Sequence, residues 1–378
     1  MGPRAMPKLL LLCEYPTLGG GERSMLATLE GIEASGFSPA VICPPQGPLA
    51  DALRRLDVDV LPFEPRSAAG QRLDQPRLRE EMARLLGHHR GDLLHANSLS
   101  MGRLSGPVAA ELQMPSIAHL RDIVKLSRQA VADLSRHARL LAVSRAAADF
   151  HTAAGVPPQK TRVLYNGVDL AEFRPRPGSG YLHRQLRLPP DALLVGTIGQ
   201  ICLRKGQDVL VRAAAEVAGK LKNVHYLIVG ARHSEKEESR RFEADLNAAA
   251  TGPLAGRLHF LGFRDDVEQI LCELALLVHP ARQEPLGRVL LEAAAAGAAV
   301  VATDVGGTGE IFPPESRAAR LVPPDDAGAL AAAIRQLVAD RALRRRLSRA
   351  ARRRAEEAFD IRDATAALLA HYREVASG

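Results

Sequence analysis

The chain has 378 residues, which is long enough for two domains that each bury a core of their own. Apolar residues make up 46% and charged residues 25%, as in ordinary globular proteins, and this excludes a disordered or fibrous chain. A net charge of +7 and an aromatic content of 4% disfavour a nucleic-acid binder, because such proteins use dense basic faces and aromatic stacking platforms.

From residue 8 onward, short apolar runs of strand length alternate with longer stretches of helical period, which predicts a parallel α/β sheet. The clearest predicted helices of this half lie at residues 22–34 and 127–137. The predicted strands are residues 8–13, 40–43, 58–61, 93–95, 116–119, 140–143 and 163–164. We therefore expect a first domain that covers residues 1–174.

The stretch RPRPGSGY at residues 174–181 is rich in proline and glycine, and it is predicted to be an interdomain linker. A second α/β series follows and predicts a second domain at residues 182–358. Its predicted strands are residues 193–198, 225–229, 258–261, 276–278, 299–302 and 320–322. We expect two doubly wound domains that face each other across a cleft, with ligands at the carboxyl ends of the strands.

The four cysteines are far apart and form neither a CxxC pair nor a Cys/His cluster of zinc-site spacing. They are predicted to be buried thiols of a protein that works in the reducing cytoplasm. They are Cys13, Cys43, Cys202 and Cys272. No stretch reaches the roughly 18 apolar residues of a membrane span.

Three consecutive glycines at residues 19–21 follow the first predicted strand and precede a helix predicted to begin at Glu22. Glycine lets bare backbone N–H groups approach an anion at a helix N-terminus, so the segment is a candidate phosphate-binding loop. A tight turn is the simpler interpretation. A dinucleotide fingerprint of the form GxGxxG is disfavoured, since Ser24 occupies its last glycine position.

A second loop between a predicted strand and a predicted helix contains Lys205 followed by Gly206. An ammonium group at a helix start is well placed to meet a phosphate as a point charge. A solvated surface lysine is the alternative interpretation.

A third segment carries two glutamates, Glu284 and Glu292, separated by seven residues. Pro285 and Gly287 indicate a helix start between them, which predicts Glu292 about two turns into the helix and a separation of roughly 12 Å. That distance approaches the reach of a nucleotide sugar from ribose to hexose. Carboxylates accept hydrogen bonds from vicinal hydroxyls, which suits both rings, although two glutamates alone at this spacing are more often a coincidence.

Taken together, these motifs resemble those of the retaining GT-B glycosyltransferases of the E-x7-E type, family 4 and group 1. The resemblance covers nearly the whole chain. The motifs are GGGER at 19–23, NGVD at 166–169, KG at 205–206, the E-x7-E pattern at 284–292 and AEEAFD at 355–360. It implies an amino-terminal domain on the acceptor side, a carboxyl-terminal domain that binds the nucleotide sugar, and a last helix, at about 360–378, that crosses back to the first domain.

The resemblance also implies roles for individual residues. Glu284 is expected to contact the donor hexose, Glu292 the ribose and Lys205 the diphosphate. A family histidine follows the fifth strand, and either His119 or Arg121 could occupy its place; we prefer His119 as a catalytic residue.

Several backbone positions are expected to line the donor site. Gly20 and Gly21 correspond to the glycine loop that approaches the diphosphate. The N–H groups of Gly287 and Arg288 would lie near phosphate or sugar oxygens, and Gly230 would line the nucleotide pocket.

One departure from the family concerns the phosphate cations. The family usually has an arginine where this chain has Gln200. Arg204 is a candidate to replace it, and the sequence leaves open which of the two residues does so.

The resemblance thus implies a metal-independent, retaining hexosyltransferase whose donor, a UDP-sugar or GDP-sugar, is a substrate; no cofactor is expected. No DxD motif stands where it would suit a divalent ion. A glycan, a lipid-linked sugar or a small molecule is expected as the acceptor, and no nucleic-acid partner. Basic residues at 66–79 and 88–90 would suit a peripheral contact with the inner membrane surface, although an ordinary solvated surface is the favoured interpretation. The base, the sugar, the acceptor and the oligomeric state are not determined by the sequence.

Two alternatives remain at this stage. One is a nucleotide-sugar epimerase or hydrolase on the same scaffold, which would consume the donor without an acceptor. The other is a non-catalytic protein that senses a nucleotide sugar or binds nucleic acid, which the low aromatic content and the glutamate pair disfavour.

Overall fold

The computed structural model describes residues 6–67 and 71–377. The chain divides into two compact units, which are Met1–Gly167 with Ile361–Gly378 and Val168–Asp360. Each unit contains one parallel sheet with helices packed on it, so the predicted α/β class is confirmed.

The sheet of the first unit has seven parallel strands in its described part. They are β1 (Lys8–Leu12), β2 (Ser38–Cys43), β3 (Asp59–Pro62), β4 (Leu93–Ala96), β5 (Ser116–Leu120), β6 (Arg139–Ala142) and β7 (Thr161–Val163). The helices among them are α1 (Gly20–Ala34), α2 (Pro48–Arg55), α3 (Gln75–His89), α4 (Leu99–Glu111), α5 (Arg128–Leu134) and α6 (Arg145–Ala153). The strand order is β3-β2-β1-β4-β5-β6-β7.

The strand order of this sheet reverses between β1 and β4, which are hydrogen-bonded neighbours. Leucines at 9–12 of β1 are at most 1% exposed, as expected for a parallel strand covered on both faces. Open parallel sheets bind ligands beyond the carboxyl ends of the strands at such a switch point. Gly20 and Asn97 follow these two strands and so lie at the expected edge.

The second unit repeats the same arrangement with six strands. They are β8 (Leu193–Ile198), β9 (Val224–Val229), β10 (Leu258–Gly262), β11 (Leu276–His279), β12 (Val300–Thr303) and β13 (Arg320–Val322). Its helices are α7 (Tyr181–Leu186), α8 (Gln207–Val217), α9 (Glu237–Ala249), α10 (Val267–Glu273), α11 (Arg288–Ala295), α12 (Thr308–Ile311), α13 (Ala327–Ala339) and α14 (Arg341–Ala358). The order β10-β9-β8-β11-β12-β13 places the switch point between β8 and β11.

The last helix, α15 (Ile361–Ala376), belongs to the first unit although it follows the whole second unit in the sequence. It packs against α1. Leu368 and Tyr372 of α15 are buried in the same apolar cluster as Leu9 and Met25, so the core of the first unit includes residues from both ends of the described chain.

The boundary between the units differs from the predicted one. The first domain was predicted to extend to residue 174 and the second to cover residues 182–358, whereas in the structure the boundary follows Gly167 and the second unit ends at Asp360. The segment predicted as a linker, residues 174–181, lies in the second unit. There the backbone N–H of Gly180 and the hydroxyl of Ser179 donate to the Glu273 carboxylate at 2.8 and 3.0 Å. Proline and glycine make this backbone irregular, but these contacts hold it on the second unit and not between two domains.

The cysteine prediction is correct for two residues and wrong for two. Cys13 and Cys43 are buried, whereas Cys202 and Cys272 are half-buried. Cys202 lies in a loop and Cys272 near the end of α10, and both positions reach the surface of the unit. No helix in the described residues is long and apolar enough to cross a membrane.

Two helical glycines of the first unit offer a matched test of its packing. A Cβ at Gly106 in α4 would come within 2.1 Å of the backbone oxygen of Asp133, whereas a Cβ at Gly87 in α3 would have no atom within 4 Å. We predict that Gly106→Ala lowers the free energy of unfolding by about 3 kcal/mol through overpacking. Gly87→Ala should raise it by about 0.5 to 1 kcal/mol through helix propensity. Urea unfolding followed by circular dichroism measures both, and shifts of the same sign would contradict the packing.

Candidate active site

A buried carboxylate lies at the carboxyl edge of the second sheet, next to the switch point. Glu284 follows β11, and its Oε2 contacts Nζ of Lys205, which follows β8. The same oxygen accepts a hydrogen bond of 2.7 Å from Nε2 of His279, the last residue of β11. The structure therefore brings two of the predicted residues into direct contact and adds a histidine to them.

The charge state of this cluster follows from its burial and its contacts. Glu284 is 5% exposed. Burial by itself raises the pKa of the Glu284 carboxyl, but the Lys205 ammonium and the hydrogen bond from His279 together outweigh burial and hold that pKa well below its usual range. Burial also lowers the pKa of His279, so its ring is neutral at pH 7 and donates through Nε2–H. Glu284 is thus an ionised carboxylate with fixed partners.

A close approach of two loops brings Lys205 and Glu284 together. Gly206 has a φ of +67°, and a Cβ there would lie 2.0 Å from the backbone oxygen of Pro280. Only glycine lets the loop after β8 meet the loop after β11 at this distance.

Arg282 joins the same two loops by polar contacts. Its backbone N–H donates to the oxygen of Arg204 at 2.8 Å, and its guanidinium makes two hydrogen bonds of 2.7 and 2.8 Å to the Asp208 carboxylate. The guanidinium of Arg204 donates to the backbone oxygen of Gln283 at 3.2 Å. Arg204 is therefore half-buried beside the cluster and is held by backbone.

The loops after β8 and β9 also pass closely. Gly230 has a φ of +138°, and a Cβ there would lie 1.9 Å from the backbone oxygen of Gly199. The next residue, Gln200, accepts a hydrogen bond of 2.9 Å at its backbone oxygen from Nε2 of Gln207. The structure thus places Gln200 and Gly230 on adjacent loops at the carboxyl edge of the sheet.

Glu292 lies less deep in its helix than predicted. The helix α11 begins at Arg288, after Gly287 with a φ of +99°, so Glu284 remains in the preceding loop and Glu292 is the fifth residue of the helix. It is therefore just over one turn into the helix and not two, because Pro285 does not begin it. Glu292 is 7% exposed, and its carboxylate accepts a hydrogen bond of 2.5 Å from Nε of Arg288.

Two buried polar atoms near these loops have no hydrogen-bond partner among the described residues. They are Oε1 of Gln207 and Oγ1 of Thr308. Thr308 follows Gly307, whose backbone N–H donates to the oxygen of Glu284 at 3.0 Å. Unpaired buried polar atoms are costly, so this edge of the sheet is suited to a polar ligand.

In the first unit, Gly20 and Gly21 form the first turn of α1. The helix begins at Gly20 and not at Glu22 as predicted, because Gly19 has extended backbone and serves as the N-cap. A Cβ at Gly21 would lie 3.2 Å from Cδ of Arg121, whereas a Cβ at Gly20 would meet no atom within 4 Å. Gly20 is exposed, and the space on the side where a Cβ would stand is open.

His119 and Arg121, the two candidates for the place of the family histidine, lie together at the end of β5. His119 is 3% exposed, and its Nδ1 lies 2.7 Å from Nε2 of His95. The guanidinium of Arg121 donates to the backbone oxygen and Oδ1 of Asn97 at 2.9 and 2.8 Å, and to Oδ1 of Asn166 at 2.8 Å. Burial lowers the pKa of Arg121 to about 10, which leaves it charged at pH 7.

Sequence reasoning missed four residues of these clusters, which are His95, Asn97, His279 and Tyr372. Three of them stand at the ends of strands or directly after them, in LLHAN and LLVHP, where a polar residue closes an apolar run. That pattern is a usable signal for a residue at the carboxyl edge of a sheet. In the described residues, no group of three or more His, Cys, Asp or Glu side chains could hold a metal ion.

The sequence matches two described families. Residues 18–172 match Glycosyltransferase Family 4, and residues 190–340 match Glycosyl transferases group 1. The chain belongs to the group 1, family 4 glycosyltransferases. The second match includes Lys205, Glu284 and Glu292, and the family predicted from the motifs is confirmed.

Curated relatives include two enzymes that act on inositol compounds. The D-inositol 3-phosphate glycosyltransferase of Streptomyces bingchenggensis is 28% identical over 332 residues, which is 77% of this chain and 69% of that protein. The phosphatidyl-myo-inositol mannosyltransferase of Mycolicibacterium smegmatis is 32% identical over 222 residues, which is 58% of this chain and 50% of that protein. The matched segment thus spans about half of the second relative's own length.

A solved structure of Anabaena HepE, in complex with UDP and glucose, is similar over nearly the whole chain. Its TM-score is 0.86 and its identity is 25%, and the match covers 97% of this chain and 99% of that one. The predicted GT-B fold is confirmed by this likeness.

The contact between Lys205 and Glu284 can be tested by a double-mutant cycle. We predict that Lys205→Met lowers the free energy of unfolding at pH 7 by about 3 kcal/mol, because one partner of a buried ion pair is lost. Adding Glu284→Gln should recover most of this loss, since the amide needs no counterion and still accepts from His279. Urea unfolding of the four proteins measures the coupling, and additive effects would contradict the pairing.

The contribution of Glu284 to the free energy of unfolding depends on pH, and its direction follows from the pKa of Glu284. The pKa of Glu284 is lower in the folded chain than in the unfolded one, so the stabilisation is complete above the ordinary carboxyl pKa and is lost as the pH falls below it. The double variant should lack this part of the acid destabilisation.

Proposed function

We propose that this protein transfers a hexose-type sugar from a nucleotide-diphosphate sugar to an acceptor hydroxyl, with retention of the anomeric configuration and without a metal ion. The ionised Glu284 carboxylate, buried and held by Lys205 and His279, carries this proposal. An ionised carboxylate accepts hydrogen bonds only, which suits sugar hydroxyls, and the adjacent ammonium suits a phosphate. Membership of the glycosyltransferase family supports the transfer reaction.

The main catalytic task in such a reaction is to stabilise the leaving diphosphate. Cleavage of the glycosidic bond develops negative charge on that group and positive charge at the anomeric carbon. Lys205 is the proposed side-chain cation. The backbone N–H groups at the start of α11, of Gly287 and Arg288, and at the start of α1, of Gly20 and Gly21, are the proposed further donors.

Because Lys205 is paired with Glu284, binding of the nucleotide-sugar donor would change the contacts of Glu284. A diphosphate that draws the Lys205 ammonium away leaves Oε2 of Glu284 with His279 as its partner, and a lone pair of that oxygen becomes available to sugar hydroxyls. Binding of the nucleotide part would in this way prepare the carboxylate that recognises the sugar.

The remaining donor contacts are proposed from the same edge of the sheet. Glu292, now paired with Arg288, is the proposed ligand of the ribose hydroxyls. Gly230 lies on the loop proposed to line the nucleotide pocket, and Gln200 and Arg204 lie at the position proposed for the second phosphate contact.

The first unit is proposed to supply the acceptor side and His119, which would contact the donor. Retention is proposed to follow from attack on the face that the diphosphate leaves, with the departing phosphate taking the proton of the acceptor hydroxyl. No group of the protein then has to form a covalent bond to the sugar.

The similar proteins guide the choice of substrates to test. HepE was solved with UDP and glucose, so UDP-glucose is the first donor to test, with GDP-sugars after it. The curated relatives act on D-inositol 3-phosphate and phosphatidyl-myo-inositol, which supports a phosphorylated polyol, a lipid-linked sugar or a glycan as acceptor. We propose a location in the cytoplasm, at or near the inner membrane surface, and no nucleic-acid partner.

The reaction class can be tested by following release of the nucleotide diphosphate. We predict release from UDP-glucose that rises at least tenfold when a suitable acceptor is added and that persists in excess EDTA, because Lys205 and backbone N–H groups supply the positive charge. Release that does not depend on any acceptor would indicate a hydrolase. Tight binding without release would indicate a sensor, and loss in EDTA with recovery in Mg²⁺ would contradict the metal-free mechanism.

The two glutamates should separate sugar recognition from nucleotide recognition. We predict that Glu284→Gln abolishes transfer but leaves UDP affinity unchanged or higher, because Lys205 loses its internal carboxylate partner. Glu292→Gln should weaken UDP binding by about 1.5 to 3 kcal/mol through loss of charged hydrogen bonds to ribose. Isothermal titration with UDP measures both, and an equal loss of affinity in the two variants would contradict the assigned roles.

A further inference from the structure

Four side chains of the first unit form a continuous hydrogen-bonded chain from α15 to the end of β5. The hydroxyl of Tyr372 lies 2.6 Å from Nδ1 of His95, and Nε2 of His95 lies 2.7 Å from Nδ1 of His119. The guanidinium of Arg121 lies 3.2 Å from the same Nδ1 of His119. Tyr372, His95 and His119 are 0%, 2% and 3% exposed, so water does not compete for these contacts.

The cation at one end of this chain fixes the tautomer of His119. A guanidinium has five N–H donors and no acceptor, so Arg121 can only donate to Nδ1 of His119. That nitrogen must then carry a lone pair. In a neutral imidazole the single proton is therefore on Nε2.

The direction of the other two hydrogen bonds follows. Because Nδ1 of His119 is an acceptor, Nε2 of His95 must be the donor in the bond between the rings. His95 is then also an Nε2–H tautomer, and its Nδ1 accepts from the hydroxyl of Tyr372. The contacts with Arg121 and Tyr372 thus fix which ring nitrogen carries the proton in each of the two histidines.

A second proton on His119 would break the chain. It would have to sit on Nδ1, which faces the N–H groups of both His95 and Arg121. Burial and Arg121 lower the pKa of His119 well below its usual range and that of His95 to about 3, and His371 adds to the effect on His119. Both rings are therefore neutral across the physiological pH range.

This leaves one functional atom at the end of the chain. Both hydrogen bonds of the His119 ring in the part of the chain that the structure describes are made at Nδ1, and none is made at Nε2. Its N–H is available to a ligand or to water.

We infer that Arg121, His95 and Tyr372 are positioning residues that hold His119 as a neutral Nε2–H donor toward an oxygen atom of the substrate. His119 then donates a hydrogen bond and takes no proton from the acceptor hydroxyl. The identity of that oxygen, on the sugar or its phosphate, rests on the proposed function, whereas the tautomer does not.

The tautomer can be observed without substrate. Selective ¹⁵N-histidine labelling of the whole protein, with two-bond ¹H–¹⁵N correlation spectra from pH 5.5 to 8.5, distinguishes Nε2–H, Nδ1–H and charged rings. The spectra of His119→Gln and His95→Gln assign the two signals. We expect both residues as Nε2–H tautomers that do not titrate in this range. An Nδ1–H or titrating His119 would overturn the inference, and this measurement on the unmodified protein needs no variant of Tyr372.

The part played by α15 is tested with Tyr372→Phe. Loss of the hydroxyl should shift the ¹⁵N resonances of His95 and His119 and, in active protein, lower kcat about threefold to tenfold with little change in KM for the donor. Tyr226→Phe is the matched control, because Tyr226 is also fully buried but its hydroxyl has no partner among the described residues. Unchanged histidine resonances in Tyr372→Phe would overturn the role of Tyr372.

Failure of the proposed function would be distinguishable from failure of this inference. If no donor and acceptor support transfer but His119 is a non-titrating Nε2–H tautomer, the proposed function is wrong and the hydrogen-bond chain stands. If transfer occurs and His119 titrates, the proposed function stands and the positioning role is wrong.

Discussion

The fixed charge on Glu284 is the constraint on which the site of the second unit depends. A carboxylate taken out of water costs several kcal/mol unless charge and hydrogen bonds replace its hydration, and Lys205 and His279 do so at one oxygen. This requirement restricts the residues around it. Gly206 must lack a side chain so that the two loops can meet, and Nε2 of His279 must carry a proton so that it donates to the carboxylate. The ion pair of Lys205 and Glu284 therefore serves to position the carboxylate more than to stabilise the fold.

Both units place a neutral histidine at the carboxyl end of a strand, and they use it in opposite ways. His279 gives its Nε2–H to a carboxylate of its own unit, whereas His119 is an acceptor at Nδ1 and keeps its Nε2–H for another group. In each case burial and a nearby cation decide the state of the ring. Strand ends suit this use because the ladder of a parallel sheet holds their backbone rigidly, so a ring there has little freedom to turn away.

The fold class and the family could be predicted because they depend on local patterns, namely apolar runs of strand length and short motifs in order. Glu284, Glu292 and Lys205 were predicted as site residues for the same reason. The depth of Glu292 was not, since a proline and a glycine suggested a helix start that the backbone takes only at Arg288. His95 and Tyr372 lie 277 residues apart in sequence, and no local pattern contains a contact of that separation. Such partners become visible only when the sheet is assembled.

The membership of α15 in the first unit has a consequence for the order in which the chain is made. A ribosome releases the seven strands of the first sheet early, but Leu368 and Tyr372, which complete its core, emerge only after the whole second unit. Until α15 is released, the apolar face of α1 in the nascent first unit is therefore uncovered. The second unit can fold as soon as its own residues are released. The first part to be synthesised is in this way the last to be finished, and the growing chain is most exposed to aggregation during that interval.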